Sequence, residues 1–109
     1  IDAPDVTRAI RFIREHAGSA MTIKDVLDHV NVSRRSLEKQ FAVALGRSPR
    51  SELTRVLVER ARDLLANTDM SIPAIAHRCG YDRPNHFTTM FRKQTGQTPT
   101  VYRKQTRLT

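Results

Sequence analysis

The chain has 109 residues, 39% hydrophobic and 6% aromatic with no Trp, which suits one small domain or two very small ones around a modest core. No apolar run approaches the roughly 18–20 residues of a membrane span, no signal or transit segment is visible, and one cysteine, Cys79, excludes an internal disulfide. The 19 Lys and Arg against 11 Asp and Glu give a net charge of +8, which points to a polyanionic partner: nucleic acid first, an acidic membrane surface second.

Asp2, Pro4 and Asp5 read as a helix start, with Asp2 as the cap. Val6, Ile10, Ile13 and Ala17 then follow helical spacing, and Gly18 stops the element. Thr22 and Asp25 have capping-box spacing, ahead of a short helix with Ile23, Val26, Leu27 and Val30 as its stripe. Asn31 and Val32 make a turn. Ser33 caps the next helix, whose buried side is Leu37, Phe41 and Leu45, and Gly46 ends it. Two short helices joined by a tight turn describe a helix-turn-helix.

Pro49 opens a longer helix that runs to about Ala66, a rod of roughly 27 Å. Its apolar positions are Leu53, Val56, Leu57, Ala61, Leu64 and Leu65. After the break at Asn67, Thr68 and Asp69, the first motif recurs. Ser71 caps, and Ile72, Ile75, Ala76 and Cys79 repeat Ile23, Val26, Leu27 and Val30. Gly80 and Tyr81 turn the chain. Asp82 caps a second helix in which Phe87 and Phe91 match Leu37 and Phe41, with one residue inserted in the turn or early helix. Gly96 ends it, and Pro99 starts a last short helix carrying Val101 and Tyr102. The expected fold is all-α, with about seven helices. A first helix-turn-helix subdomain (1–47) and a second (68–109) are joined by a linker helix (48–67).

In a helix-turn-helix the second helix enters a DNA major groove, so its early residues must be polar and face away from the core. Arg34, Arg35, Glu38, Lys39 and Ala42 lie off the Leu37 and Phe41 stripe. Arg83, Asn85, His86, Thr88, Thr89 and Arg92 lie off the Phe87 and Phe91 stripe. Arg can fork onto guanine, Asn onto adenine, Glu can accept from cytosine, and a Thr methyl can touch thymine. The chain thus carries two reading heads, for an asymmetric site of two half-elements about one DNA turn apart. A basic protein-docking module, or a shape-reading binder of DNA or RNA, leaves the duplicated polar faces unexplained.

Ser71-Ile72, Ile75-Ala76 and Gly80-Tyr81, then Phe87, Phe91-Arg92-Lys93, Gly96, Pro99 and Tyr102-Arg103 closely resemble the signature of AraC/XylS-type bacterial transcription regulators. The resemblance runs from the first helix to Arg103. It implies seven helices, one domain bound to two successive major grooves of double-stranded DNA, and activation through contact with RNA polymerase. It implies base contacts from Arg35, Glu38 and Lys39 in the first unit, and from Asn85, His86, Thr88 and Thr89 in the second. Arg34, Arg83 and Arg92 are placed for phosphate, as are the helix starts at Thr22, Ser33 and Ser71. Leu57 stands where many members carry a basic residue, so the family's backbone contact there is not expected to carry over. Thr89 stands where an Arg is common, which implies weaker reading by the second unit; with Arg34, Arg35 and Lys39, the first unit is expected to dominate direct reading. The segment from Val26 to Lys39 looks most like the xylose-operon branch, in which a sugar-binding module precedes this domain. A chain that starts at Ile1 fits the loss of such an effector-binding module. A cytoplasmic, sugar-responsive activator is the expected whole protein.

No enzyme is expected, because nothing orders Ser, Asp and His as a triad and no Gly-rich phosphate loop is present. His16, His29, His77 and His86 share no metal-ligand spacing, so neither metal nor cofactor is expected. Cys79 reads as packing, the Phe87 and Phe91 pair as core, and Arg50, Arg55, Arg60 and Arg62 as a solvated face of the linker.

Overall fold

Helix α1 (Pro4–His16) begins with Pro4 in its first turn, where a missing N–H costs nothing. The computed structural model describes residues 3–17 and 21–107, which hold seven helices and no strand. The cap expected at Asp2 and the stop expected at Gly18 lie outside them. Ala3 occupies the cap position of α1 without a side-chain bond. The buried face of α1 is Val6, Ala9 and Ile13, with Ala17 just beyond its end, while Ile10 is only half-buried.

Helix α2 (Ile23–Val30) has the full reciprocal capping box. Asp25 N–H donates to the Thr22 hydroxyl, and Thr22 N–H donates to the Asp25 carboxylate at 2.9 Å. Asn31 closes the helix at φ 58°, a left-handed conformation that Asn tolerates better than most residues. Helix α3 (Arg34–Leu45) starts under the Ser33 cap, whose Oγ accepts from Ser36 N–H at 3.1 Å. Gly46 (φ 69°) ends α3 and Gly96 (φ 80°) ends α6 (Pro84–Thr95). An added Cβ at either would meet no atom within 4 Å, so the backbone angle, not space, calls for glycine.

Helix α4 (Pro49–Asn67) is one unbroken element of 19 residues. The described residues form two units that divide within it, after Val56. In the first, α1 packs on α2 and α3. Its core is Val6, Ala9, Ile13, Ile23, Val26, Val30, Leu37, Phe41, Leu53 and Val56. Leu27 and Leu45, expected in the stripes, are half-buried. Arg8 of α1 donates to the Val30 carbonyl at 3.2 Å, so a cation satisfies the carbonyl end of α2. Gln40 of α3 reaches Asp5 of α1 at 3.2 Å.

In the second unit the buried residues are Leu57, Val58, Ala61, Leu65, Ile75, Ala76, Cys79, Phe87, Phe91 and Pro99. Ile72, Leu64 and Tyr102 are half-buried, and Val101 of α7 (Pro99–Arg107) is 42% exposed. Helix α5 (Ile72–Arg78) is capped by Ser71, whose Oγ accepts from Ala74 N–H. The cap expected at Asp82 is not there: Arg83 is the N-cap of α6 and makes no side-chain bond. Pro84 is the physical reason. Its ring clashes with a helical residue before it and drives Arg83 to φ −116°, ψ 122°, so α6 can begin only at Pro84. The extra residue of the second repeat therefore falls in the 79–83 turn.

Arg103 of α7 donates through Nε to the Leu65 carbonyl at 3.0 Å and through a terminal nitrogen to Thr68 at 3.3 Å. It closes the carbonyl end of α4 as Arg8 closes that of α2. Cys79 is 3% exposed. Burial pushes its thiol up to about 11, against the pull of Arg60 and Arg78. At neutral pH it should resist a thiol-specific disulfide reagent while folded and react fully once denatured. Prompt labelling of the folded chain would contradict its place in the core.

Candidate nucleic-acid interface

The two helix-turn-helix units present similar surfaces on α3 and α6. Each helix commits two large apolar side chains to its own core: Leu37 and Phe41 on α3, Phe87 and Phe91 on α6, all 0% exposed. Fixing these orients the rest. Arg34, Arg35, Glu38 and Lys39 are exposed on α3, as are Asn85, His86, Thr89 and Arg92 on α6, with Arg83 at its cap. Thr88 is half-buried, so it has less side chain to offer than its neighbours. The side chains of Arg34, Arg35, Glu38, Lys39, Arg83, Asn85, His86 and Arg92 form no hydrogen bond or ion pair with the described residues. Donors and acceptors of both kinds are thus left open toward solvent, as base reading requires.

Some expected contact groups are partly occupied. The Thr89 hydroxyl donates to the Asn85 carbonyl at 2.9 Å, which leaves its methyl and its oxygen's accepting capacity uncommitted. At the start of α2, the Thr22 hydroxyl donates to Asp25 at 3.1 Å. Hydrogen bonds from Thr22 N–H and the Thr22 hydroxyl hold the Asp25 carboxyl below its ordinary pKa, so that helix start already faces an anion. Ser33 and Ser71 accept from the first-turn amides of α3 and α5, and their hydroxyl hydrogens remain available to a phosphate oxygen. Sequence reasoning passed over the ion trio of Arg47, Glu52 and Arg55, whose spacing is local enough to have been noticed.

Among the described residues, no three His, Cys, Asp or Glu side chains come together as a metal set, and no helix is long and apolar enough to cross a membrane.

A family model described as a helix-turn-helix domain matches residues 26–105. The xylose operon regulatory protein of Escherichia coli strain K12 is 37% identical over 100 residues, covering 92% of this chain and 26% of that protein. The chain therefore spans about a quarter of that relative's length. Among solved structures, the C-terminal domain of AraT, a response regulator from Geobacillus stearothermophilus, superposes with a TM-score of 0.89. It is 36% identical, with 94% of this chain and 86% of that one covered. The DNA-binding domain of AdpA, in complex with a target DNA, gives a TM-score of 0.87 at 27% identity, with 95% and 94% covered. With the match running through both helix-turn-helix units, the chain belongs to the AraC-type family of helix-turn-helix DNA-binding domains.

Proposed function

We propose that this chain is the operator-reading end of a bacterial, sugar-responsive transcription activator. Helices α3 and α6 enter successive major grooves of one duplex. The observation that carries the reading is the duplicated arrangement of a locked apolar face behind an open polar one. Arg35, Glu38, Lys39, Asn85, His86, Thr88 and Thr89 contact bases. Arg34, Arg83 and Arg92 hold phosphates, together with the helix starts at Ser33 and Ser71; the start at Thr22, where the Asp25 carboxylate already takes the Thr22 N–H and hydroxyl, is the weakest of the three. The target is an asymmetric site with two half-elements about one helical turn, roughly 34 Å, apart. The sugar response rests on the xylose relative, and RNA polymerase is the proposed protein partner in the cytoplasm.

Selection of bound duplexes from a random pool, followed by footprinting, tests the reading. Two half-elements about a turn apart are expected, with affinity at least about 10³-fold above random duplex. A ratio under about tenfold would end it. Arg35→Ala should cost about 1–3 kcal/mol and relax preference at one base pair, whereas Arg34→Ala should weaken all sequences alike and flatten the salt dependence. A uniform loss from Arg35→Ala would mean that Arg35 faces the backbone instead of a base.

A further inference from the structure

Beside α3 lies a cleft of about 120 Å³ that the family match does not explain. Its apolar lining is Ile23 and Leu27 of α2 with Pro49 of α4. Its polar lining is Arg34 and Glu38 of α3 with Ser48 and Arg50 at the start of α4. All of it belongs to the first unit. The Ser48 hydroxyl accepts from Ser51 N–H at 3.1 Å, so its oxygen serves the start of α4. Arg34 and Arg50 are exposed, and neither guanidinium has a partner among the described residues.

We infer that this cleft is a backbone-phosphate site, with Arg50 as a contact residue alongside Arg34. The inference rests on the DNA-binding reading and deepens it. A major groove is about 12 Å wide, close to the width of a helix, so a helix seated in it has a sugar–phosphate wall along each flank. Arg34 precedes Arg35 by one residue, about 100° around α3 from it, and Arg50 lines the same cleft as Arg34. Two guanidiniums against the Glu38 carboxylate leave one net positive charge, which suits a single phosphate. Arginine's planar fork matches phosphate oxygens in pairs. Arg50 is thereby set apart from the solvated linker arginines: Arg55 is held by Glu52, while Arg60 and Arg62 are not among the residues that line this cleft.

The test is fluorescence anisotropy of the full chain with a labelled duplex carrying the selected site and with a random-sequence duplex, across 50–200 mM salt. Arg50→Gln should lower affinity for both duplexes about five- to tenfold near 0.1 M salt and reduce the log–log salt slope by about 0.9. Arg50→Lys should keep the slope. Arg62→Gln, a control on the same helix, should change neither, and the melting temperature of Arg50→Gln should match the parent chain. An unchanged slope in Arg50→Gln overturns the proposal while leaving the DNA reading intact, and so does a loss confined to one base pair. Loss of binding to a polyglutamate peptide with full DNA affinity would give the cleft to an acidic protein and equally overturn it. A parent chain that binds neither duplex overturns both readings.

Discussion

Phe91→Ala is expected to cost about 3–5 kcal/mol, enough to unfold the second unit at ordinary temperature. Phe91 is 0% exposed and sits between two other rings, with centroids 5.9 Å from Phe87 and 5.7 Å from Tyr102. Each aromatic pair adds about 0.5–1.5 kcal/mol beyond the area it buries. A unit of roughly fifty residues has only about 3–8 kcal/mol of total stability at the usual per-residue values. Removing one ring therefore takes most of it. Chemical denaturation should show the loss, and hydrogen exchange should show protection vanishing from α5, α6 and α7. Tyr102→Phe is the control, because the hydroxyl has no partner among the described residues and the edge-on ring contact with Phe91 survives. Retention of more than half the stability by Phe91→Ala would mean that the core closes over the cavity and does not depend on this ring.

The consequence reaches DNA binding through geometry. Phe87 and Phe91 are what turn Asn85, His86 and Thr89 outward, so a unit without its aromatic core has no defined reading face. On the proposed reading, Arg35→Ala should leave the fold standing and remove one contact, whereas Phe91→Ala should remove a whole half-site.

These features differ in how visible they are in the chain. The caps at Thr22, Ser33 and Ser71 were legible because the side chain and the amide it satisfies lie three residues apart. The Leu37/Phe41 and Phe87/Phe91 pairs were legible from four-residue spacing. Asp82 misled because a good capping residue stood one place too early, and the constraint from Pro84 on its predecessor was the stronger effect. Arg8 and Arg103 were out of reach. They satisfy carbonyls 22 and 38 residues away, and no local pattern announces such pairs. In the candidate interface, the residue types were legible but their prior commitments were not. That the hydroxyls of Thr22 and Thr89 already donate within the protein follows from rotamers.

Glu52 gives the other large effect. The fifty-residue offset that pairs Phe41 with Phe91 and Pro49 with Pro99 also pairs Glu52 with Tyr102, so the repeats diverge here. Where the second repeat places an aromatic ring, the first buries a carboxylate that is 1% exposed. Arg47 reaches it at 2.8 Å and Arg55 at 3.2 Å. Burial pushes the Glu52 carboxyl up, but hydrogen bonds from Arg55 and Arg47 and their two charges outweigh this and hold it below its ordinary pKa. A depressed folded-state pKa fixes the sign. The stabilisation is fully present above the ordinary carboxylate value and is lost as pH falls through the lower folded value. Glu52→Gln keeps the volume and removes the charge. It should cost about 2–3 kcal/mol at neutral pH, less than the 3–5 typical of a fully buried pair because both guanidiniums are partly in water. The variant should also lose part of the acid dependence, so that its stability curve meets that of the parent chain at low pH. Parallel curves across the acid range would show that Glu52 acts by shape alone. Arg47→Ala with Arg55→Ala should be worse than Glu52→Gln, since it leaves the buried carboxylate without either cation.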